Sequence, residues 1–468
     1  MKKKWLALAL AAIMLLGLLA GCGGSGNNNT DQTADTEDTG DTADTPPADT
    51  GSDAKDEEPA DTGSSAAGSV YWLNFKPEAD DILQQLAGMY TEKTGVPVKV
   101  VTAASGTYES TLTSEMDKSA PPTMFVVGPG GVNTWSDYAL DLTGTAIANE
   151  LNSDAYNLYD ADGKLVSIGY CYECYGIIVN ADLLDEAGYK VEDINNFDTL
   201  KAAAEDIHAR ADELGFDAFT SNDMDPSSSW RYTGHMLNLN YYYEEQAAGT
   251  KWSDTPATIT GAYLDNYRNL YDLAVNNSTV TRDTLATGGH DAEAEFKEGK
   301  AVFFVQGSWE YGNIIDDVPS ATMIPYYCGV DGEEKAGLNC GTENNWAINV
   351  MASEDDQKAT MDFMVWLVTD PEASEMLVNG AGGFGAMPYK SAVASTNGFL
   401  ALAAEMTANG YYVMDWATNY QPNGAEDYRA GVVSALNQYN AAPSDDAWET
   451  VRTAIVDGWA AQAAMAAG

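Results

Sequence analysis

Apolar residues recur with two different periods along most of this chain. Val70–Phe75 is a short apolar run that suits a buried strand. Ile82, Leu83, Leu86, Met89 and Tyr90 then share one helical face, predicting a helix over 80–93 that Gly95 ends and Pro97 keeps from resuming. A second strand at 98–102, a polar-faced helix at 107–118 closed by Pro121 and Pro122, and a third strand at 124–127 follow. Strands alternating with helices in this way build a parallel sheet with crossover helices. Ligands of such sheets sit beyond the carboxyl ends of the strands. Asn74, Ser105-Gly106 and the Gly128–Trp135 loop are therefore candidate cleft positions.

Farther along, the pattern predicts a strand at 175–179 and a short helix at 181–187 ended by Gly188. Amphipathic helices are expected over 200–213 and 257–275. A buried strand at 301–305 runs into Gly307-Ser308-Trp309. Ser353 opens a helix through Val368, and Asp370-Pro371 starts the next. The last third of the chain reads as mostly helical, and no long-period repeat is evident.

The first 69 residues break the pattern. Lys2, Lys3 and Lys4 precede an uncharged apolar stretch, Trp5–Ala20. At ~1.5 Å per residue that stretch spans roughly 24 Å, short for a membrane-crossing helix, and it suits the core of a signal peptide over residues 1–21. Leu19-Ala20-Gly21-Cys22 looks like a bacterial lipobox, in which the Cys22 thiolate accepts diacylglycerol. Two acyl chains suffice for stable anchoring. From 22 to 69 the chain is Gly, Asn, Thr, Asp, Ser, Ala and Pro, with twelve acidic residues against the single basic Lys55. Such a segment cannot bury enough surface to offset its ordering entropy, and is expected to be a disordered acidic tether. A plain signal peptide and an acidic interaction tail are the alternatives.

About 400 residues remain, from 70 to 468. That exceeds what one compact core usually holds, so two lobes are expected. The formal net charge of −48 argues against nucleic acid or phosphate-rich partners and suits a secreted protein.

Four segments in order carry a resemblance. Tyr172-Glu173-Cys174-Tyr175-Gly176 through Asn180, with Ala181-Asp182-Leu183-Leu184, is the first. Ala292–Ala301, containing Phe296-Lys297-Glu298-Gly299-Lys300-Ala301, continues through Val305 to Gly307-Ser308-Trp309 as the second. Gly341–Asn349 with its following helix is the third, and Gly383-Phe384-Gly385-Ala386-Met387-Pro388 the fourth. Together they resemble family 1 extracellular solute-binding proteins, the group that includes maltodextrin-binding protein. The resemblance implies an α/β, two-lobed periplasmic-binding-protein-like fold, with hinge strands crossing near 170–180 and 340–350. It implies a ligand cleft between discontinuous lobes that closes on its solute. Tyr241-Tyr242-Tyr243 lies where the family pattern cannot be followed.

The implied role is the lipid-anchored capture subunit of an ABC importer, taking a carbohydrate, an oligosaccharide by preference, to permease subunits. The chain is expected to act as a monomer without a cofactor, on the extracellular face of the cell membrane. The absence of an acidic residue after Cys22 and the long tether point to a Gram-positive surface. Neutral sugars offer hydroxyls and flat C–H faces, so their sites need aromatic platforms and fixed polar groups. Trp309 stands where the family places a stacking Trp. Trp135, Trp230, Arg231, Phe384, Trp416 and Tyr428 are further candidates, each weighed against plain core packing. Glu173 falls where the family often has a ligand-facing carboxylate, which takes two hydroxyls as a charge-assisted acceptor. Glu343 and Asn344 are similar cases on the other crossing.

Four cysteines remain besides Cys22. Cys328 and Cys340 flank the turn-forming Asp331-Gly332 and are candidates for a disulfide. Cys171 and Cys174 could pair with each other, though on a regular strand their side chains face opposite ways; crossed pairing between the two hinge segments is an alternative, as is a zinc site. The rival functions are capture of a peptide, polyamine or metal, and a secreted glycoside hydrolase. Enzyme motifs are missing: there is no Gly-x-Ser-x-Gly elbow, no His-Glu-x-x-His and no phosphate loop. No enzymatic activity is expected.

Overall fold

A computed structural model describes residues 68–343 and 345–467. The anticipated signal peptide, Cys22, nearly all of the tether and Asn344 lie outside the described residues. Among the described residues there are twelve strands: β1 Val70–Asn74, β2 Val98–Thr102, β3 Met124–Val127, β4 Leu158–Tyr159, β5 Leu165–Gly169, β6 Glu173–Asn180, β7 Asp217–Phe219, β8 Ala301–Gly307, β9 Ala321–Ile324, β10 Ala336–Gly341, β11 Asn345–Ile348 and β12 Tyr412–Met414. They form two six-stranded sheets, ordered β2-β1-β3-β11-β5-β4 in lobe 1 and β12-β10-β6-β8-β7 in lobe 2, with β9 pairing β6 beside β10. The fold is the two-lobed α/β architecture implied by the sequence.

Lobe 1 begins as its periodicity dictates. β1 pairs in parallel with β2 and β3, and the helix Asp80–Thr94 buries Ile82, Leu83, Leu86 and Tyr90 on the sheet. Gly95 ends that helix at φ 75°, a conformation that only a residue without Cβ adopts freely. β11 runs antiparallel to both β3 and β5, because the chain enters it from the other lobe. Ser353 caps the helix Glu354–Thr369 through the Asp356 N–H, and Asp370 caps Pro371–Asn379 through those of Glu372 and Ala373.

The two main crossings lie side by side. Gly169 pairs with Asn345 in lobe 1, and Glu173 pairs with Gly341 in lobe 2. A third passage, unanticipated from sequence, runs between Tyr389 in the lobe 1 core and Phe399 in lobe 2. It is tied to the first crossing by Tyr172 N–H donating to the Ala386 carbonyl at 2.8 Å and Tyr389 OH donating to that of Gly169 at 3.0 Å.

Two helices depart from their expected bounds. The run over 200–213 divides at Arg210 into Phe197–Ala209 and Ala211–Leu214. The helix expected from 257 starts at Leu264. Ahead of it the Glu244 carboxylate accepts from the N–H groups of Thr260, Gly261 and Ala262, holding that backbone in a turn.

The cysteines also differ from expectation. All four of Cys171, Cys174, Cys328 and Cys340 are unbonded and buried, so the Cys328–Cys340 pairing is not formed. The reason is topological. Cys328 packs in the core on one face of the lobe 2 sheet, whereas Cys340 and Cys174 pack in the core on its other face, and Cys171 belongs to lobe 1. Among the described residues no three His, Cys, Asp or Glu side chains gather as metal ligands.

Candidate functional site

The carboxyl ends of β1 and β3 face lobe 2, and the chain between β1 and the first helix carries the central feature. Asn74 does not reach outward as a cleft group. Its side chain donates to the Lys76 carbonyl and to Thr102 Oγ1, while its Oδ1 accepts from the Lys76 N–H at 3.1 Å. This turn presents the Lys76 ammonium to lobe 2, where it meets Glu173 Oε1 at 2.7 Å, while Glu78 Oε1 of its own segment lies at 3.2 Å. Lys76 and Glu173 are both buried. Burial opposes the Lys76 charge, but Glu173 and Glu78 outweigh it and hold the ammonium well above its ordinary pKa.

A cluster of aromatic rings in lobe 2 adjoins this pair through Trp309. Trp309 follows β8, half-buried, with its indole lying across Gly307, where a Cβ would collide with the ring. Its Nε1 donates to Gln306 Oε1 at 2.9 Å, and Gln306 Nε2 donates to Glu310 Oε2 at 3.0 Å. Lys76 Nζ lies 6.0 Å from the Trp309 ring centroid. Trp230 meets Trp309 edge-on at 5.9 Å, and its own Nε1 donates to the Ser227 carbonyl. Arg231 lays its guanidinium over Trp230 at 4.3 Å and fixes itself to the Val305 carbonyl and Ser228 Oγ. Burial lowers its pKa, with Glu310 opposing.

His235 joins the group from the π-helical turn Arg231–Met236. It stacks on Tyr175 at 4.1 Å and 8° and stands edge-on to Trp230 at 4.9 Å. Burial first, then Arg429, Arg231 and Lys76, push its pKa well below the usual value, so the imidazole is neutral near pH 7. Trp416 packs against Tyr175 at 5.0 Å and rests on Gly341. It also lines a cavity of about 210 Å³ between the lobes, shared with Tyr156, Tyr172, Thr342, Asp415 and Tyr420. A larger depression of about 440 Å³ lies on lobe 1 alone and holds none of the candidate residues.

The lobes touch at further points. The Glu426 carboxylate accepts from the Glu109 N–H at 2.7 Å and the Ser110 N–H at 3.3 Å. Asn419 Nδ2 donates to the Thr342 carbonyl on the crossing at 2.7 Å. A Cβ on Gly130 would collide with the Gln421 carbonyl oxygen, and one on Gly106 with that of Pro226. The cleft is thus closed.

Of the residues singled out from sequence, Trp309, Glu173, Trp230, Arg231 and Trp416 come together here. Glu343 lies on the second crossing. Burial raises its pKa, opposed by Arg429 and Lys76. Three others are packed away. Trp135 sits against Phe125 and Tyr138, Phe384 against Tyr170 and Trp346 in the lobe 1 core, and Tyr428 donates to or accepts from Tyr241 OH inside lobe 2. Sequence reasoning missed Lys76, Gln306, Glu310 and His235. Lys76 shares the post-strand segment with Asn74, which was a usable signal. His235 stood alone in sequence, and only packing brings it to Tyr175.

A model of the family described as bacterial extracellular solute-binding protein matches residues 85–408. No curated protein sequence matches the chain. Among solved structures, a family 1 extracellular solute-binding protein from Bifidobacterium longum subsp. infantis is 17% identical, with a TM-score of 0.56 over 85% of this chain and 100% of that one. The solute-binding protein RafE in complex with raffinose gives 17% identity and a TM-score of 0.64, over 84% and 99% of the two chains. The GacH receptor of Streptomyces glaucescens, solved unliganded and with acarbose, gives 16% and 0.57, over 84% and 99%. At such identities the likeness is one of fold.

Proposed function

Because the chain belongs to the bacterial extracellular solute-binding proteins, binders rather than enzymes, we propose that it captures a carbohydrate, an oligosaccharide by preference, for an ABC importer. The single observation that carries this reading is the aromatic cluster of Trp309, Trp230, His235, Tyr175 and Trp416, which adjoins the buried Lys76–Glu173 pair between two lobes through Trp309. Ring faces suit the C–H surfaces of sugars, and the charged pair suits their hydroxyls. Raffinose and acarbose, bound by two proteins of similar fold, support the same solute class.

Lipid attachment at Cys22, a tether over 22–69, monomeric action, delivery to permease subunits and a Gram-positive surface complete the proposal. They rest on the sequence of the first 69 residues and on the family. Cys22→Ala releases the protein from membranes into the medium; continued sedimentation with membranes refutes the lipobox.

Calorimetric titration of the detergent-solubilised full chain with neutral oligosaccharides, short peptides, polyamines and divalent metals tests the ligand class. Saturable heat from an oligosaccharide without product formation supports the reading. Heat only from a peptide, amine or metal overturns the ligand and leaves the fold intact.

A further inference from the structure

The four unbonded cysteines occupy three different cores, and only two of them share one. Cys171 is in lobe 1, Cys328 is on one face of the lobe 2 sheet, and Cys174 and Cys340 are together on the other face. Those two are also direct partners in the antiparallel ladder: Cys340 of β10 pairs with Cys174 of β6, one step from the Gly341–Glu173 pair where both crossings enter lobe 2. Directly opposed residues of an antiparallel pair have Cα atoms about 4.5–5.5 Å apart, within the roughly 4.4–6.8 Å that a disulfide spans. Both side chains leave the same face of the sheet, as residues opposed in a ladder must. We infer that Cys174 and Cys340 are joined by a cross-strand disulfide in the exported protein, tying β6 to β10 beside the hinge.

The family is extracellular, where thiols that can meet are oxidised. Of the pair, Cys340 is the nucleophile. Its neighbour Cys174 holds its thiol below the ordinary pKa, whereas burial pushes Cys174 well above. Cys340 also lines the cavity between the lobes, which gives a disulfide oxidant a route to it. The oxidant is a small-molecule disulfide or an extracytoplasmic thiol–disulfide oxidoreductase. The Cys340 thiolate attacks one oxidant sulfur and releases the other as a thiolate. The Cys174 thiolate then attacks the Cys340 sulfur and displaces the remaining one. Two electrons and the two cysteine protons pass to the oxidant, which leaves as two thiols. The bond closes a loop through most of lobe 2 and locks together the strands that follow the first crossing and precede the second. Lobe 2 then meets its hinge as one unit, whatever ligand the cleft holds.

The test is peptide mapping of the full chain, recovered from membranes, denatured without reductant and alkylated. The expected product is one linked peptide pair containing Cys174 and Cys340, about 2 Da lighter than the two reduced peptides together, with Cys171 and Cys328 alkylated. Full alkylation of all four, or a linkage through Cys171 or Cys328, overturns the inference. A second measurement starts from the purified, reduced full chain and adds oxidised glutathione. The same linkage is expected to form, to survive in Cys171→Ser and Cys328→Ser, and to give way in Cys174→Ser to a glutathione adduct on Cys340. A wild-type chain that remains a dithiol under this treatment overturns the inference equally.

Discussion

Lys76 and Glu173 meet at 2.7 Å from opposite lobes, both buried, and form a charged bridge across the closed cleft beside Trp309. The pair joins the turn after the first strand of lobe 1 to the first strand of lobe 2, so its energy counts toward closure as well as toward folding.

Removing one partner of a buried pair costs about 3–5 kcal/mol where nothing else compensates the other; here Glu78, 3.2 Å from Lys76, makes the loss smaller. Glu173→Gln is expected to lower the melting temperature and to favour the open form, in which Lys76 regains water. Lys76→Met/Glu173→Leu is expected to recover part of that stability. Scanning calorimetry of Glu173→Gln, of Lys76→Met and Glu173→Leu, and of the double variant checks this, and strict additivity would show that the two residues do not interact.

Trp309→Ala is expected to weaken sugar binding at least about tenfold, or ~1.4 kcal/mol, with little change in melting temperature, because the indole is only half-buried. Equal losses of stability and binding would make it a packing residue. Gln306→Ala is expected to weaken binding by a smaller factor, since Gln306 orients the indole through Nε1.

Glu310 ties Gln306 in place from a buried site. Burial, and then Glu293, push its pKa up to about 7. A carboxyl whose folded pKa lies above its unfolded value contributes stability that is fully present below about 4.5 and is lost as pH rises through about 7. Wild-type stability is therefore expected to fall between pH 5 and pH 7 by about 2 kcal/mol from this group. Glu310→Gln is expected to flatten that slope. Melting curves across this range decide, and an unchanged slope in the variant assigns the pH dependence elsewhere.

Gly130 approaches the Gln421 carbonyl across the cleft more closely than a side chain allows. Gly130→Ala is expected to leave both lobes folded, to keep the liganded protein at the open radius of gyration in solution scattering, and to weaken binding at least about tenfold. Ligand-induced compaction equal to that of wild type would exclude this contact from closure.

Sequence by itself determined the strand–helix alternation of lobe 1, the two-lobed class and the placement of Trp309 at the end of a buried strand. These follow from local periodicity and from Gly, Pro, Ser and Asp at element ends, which act within a few residues. Tertiary structure decided what depends on contacts far apart in the chain. It sent Phe384 and Tyr428 into cores although their surroundings in sequence suited a cleft, because apolar burial does not distinguish the two. It turned Asn74 from a cleft residue into the support of Lys76. It brought His235 onto Tyr175, and it set Cys340 opposite Cys174 rather than near Cys328. A strand shows its two faces in its sequence but not which strand lies beside it, and the cysteine partners hang on that neighbour alone.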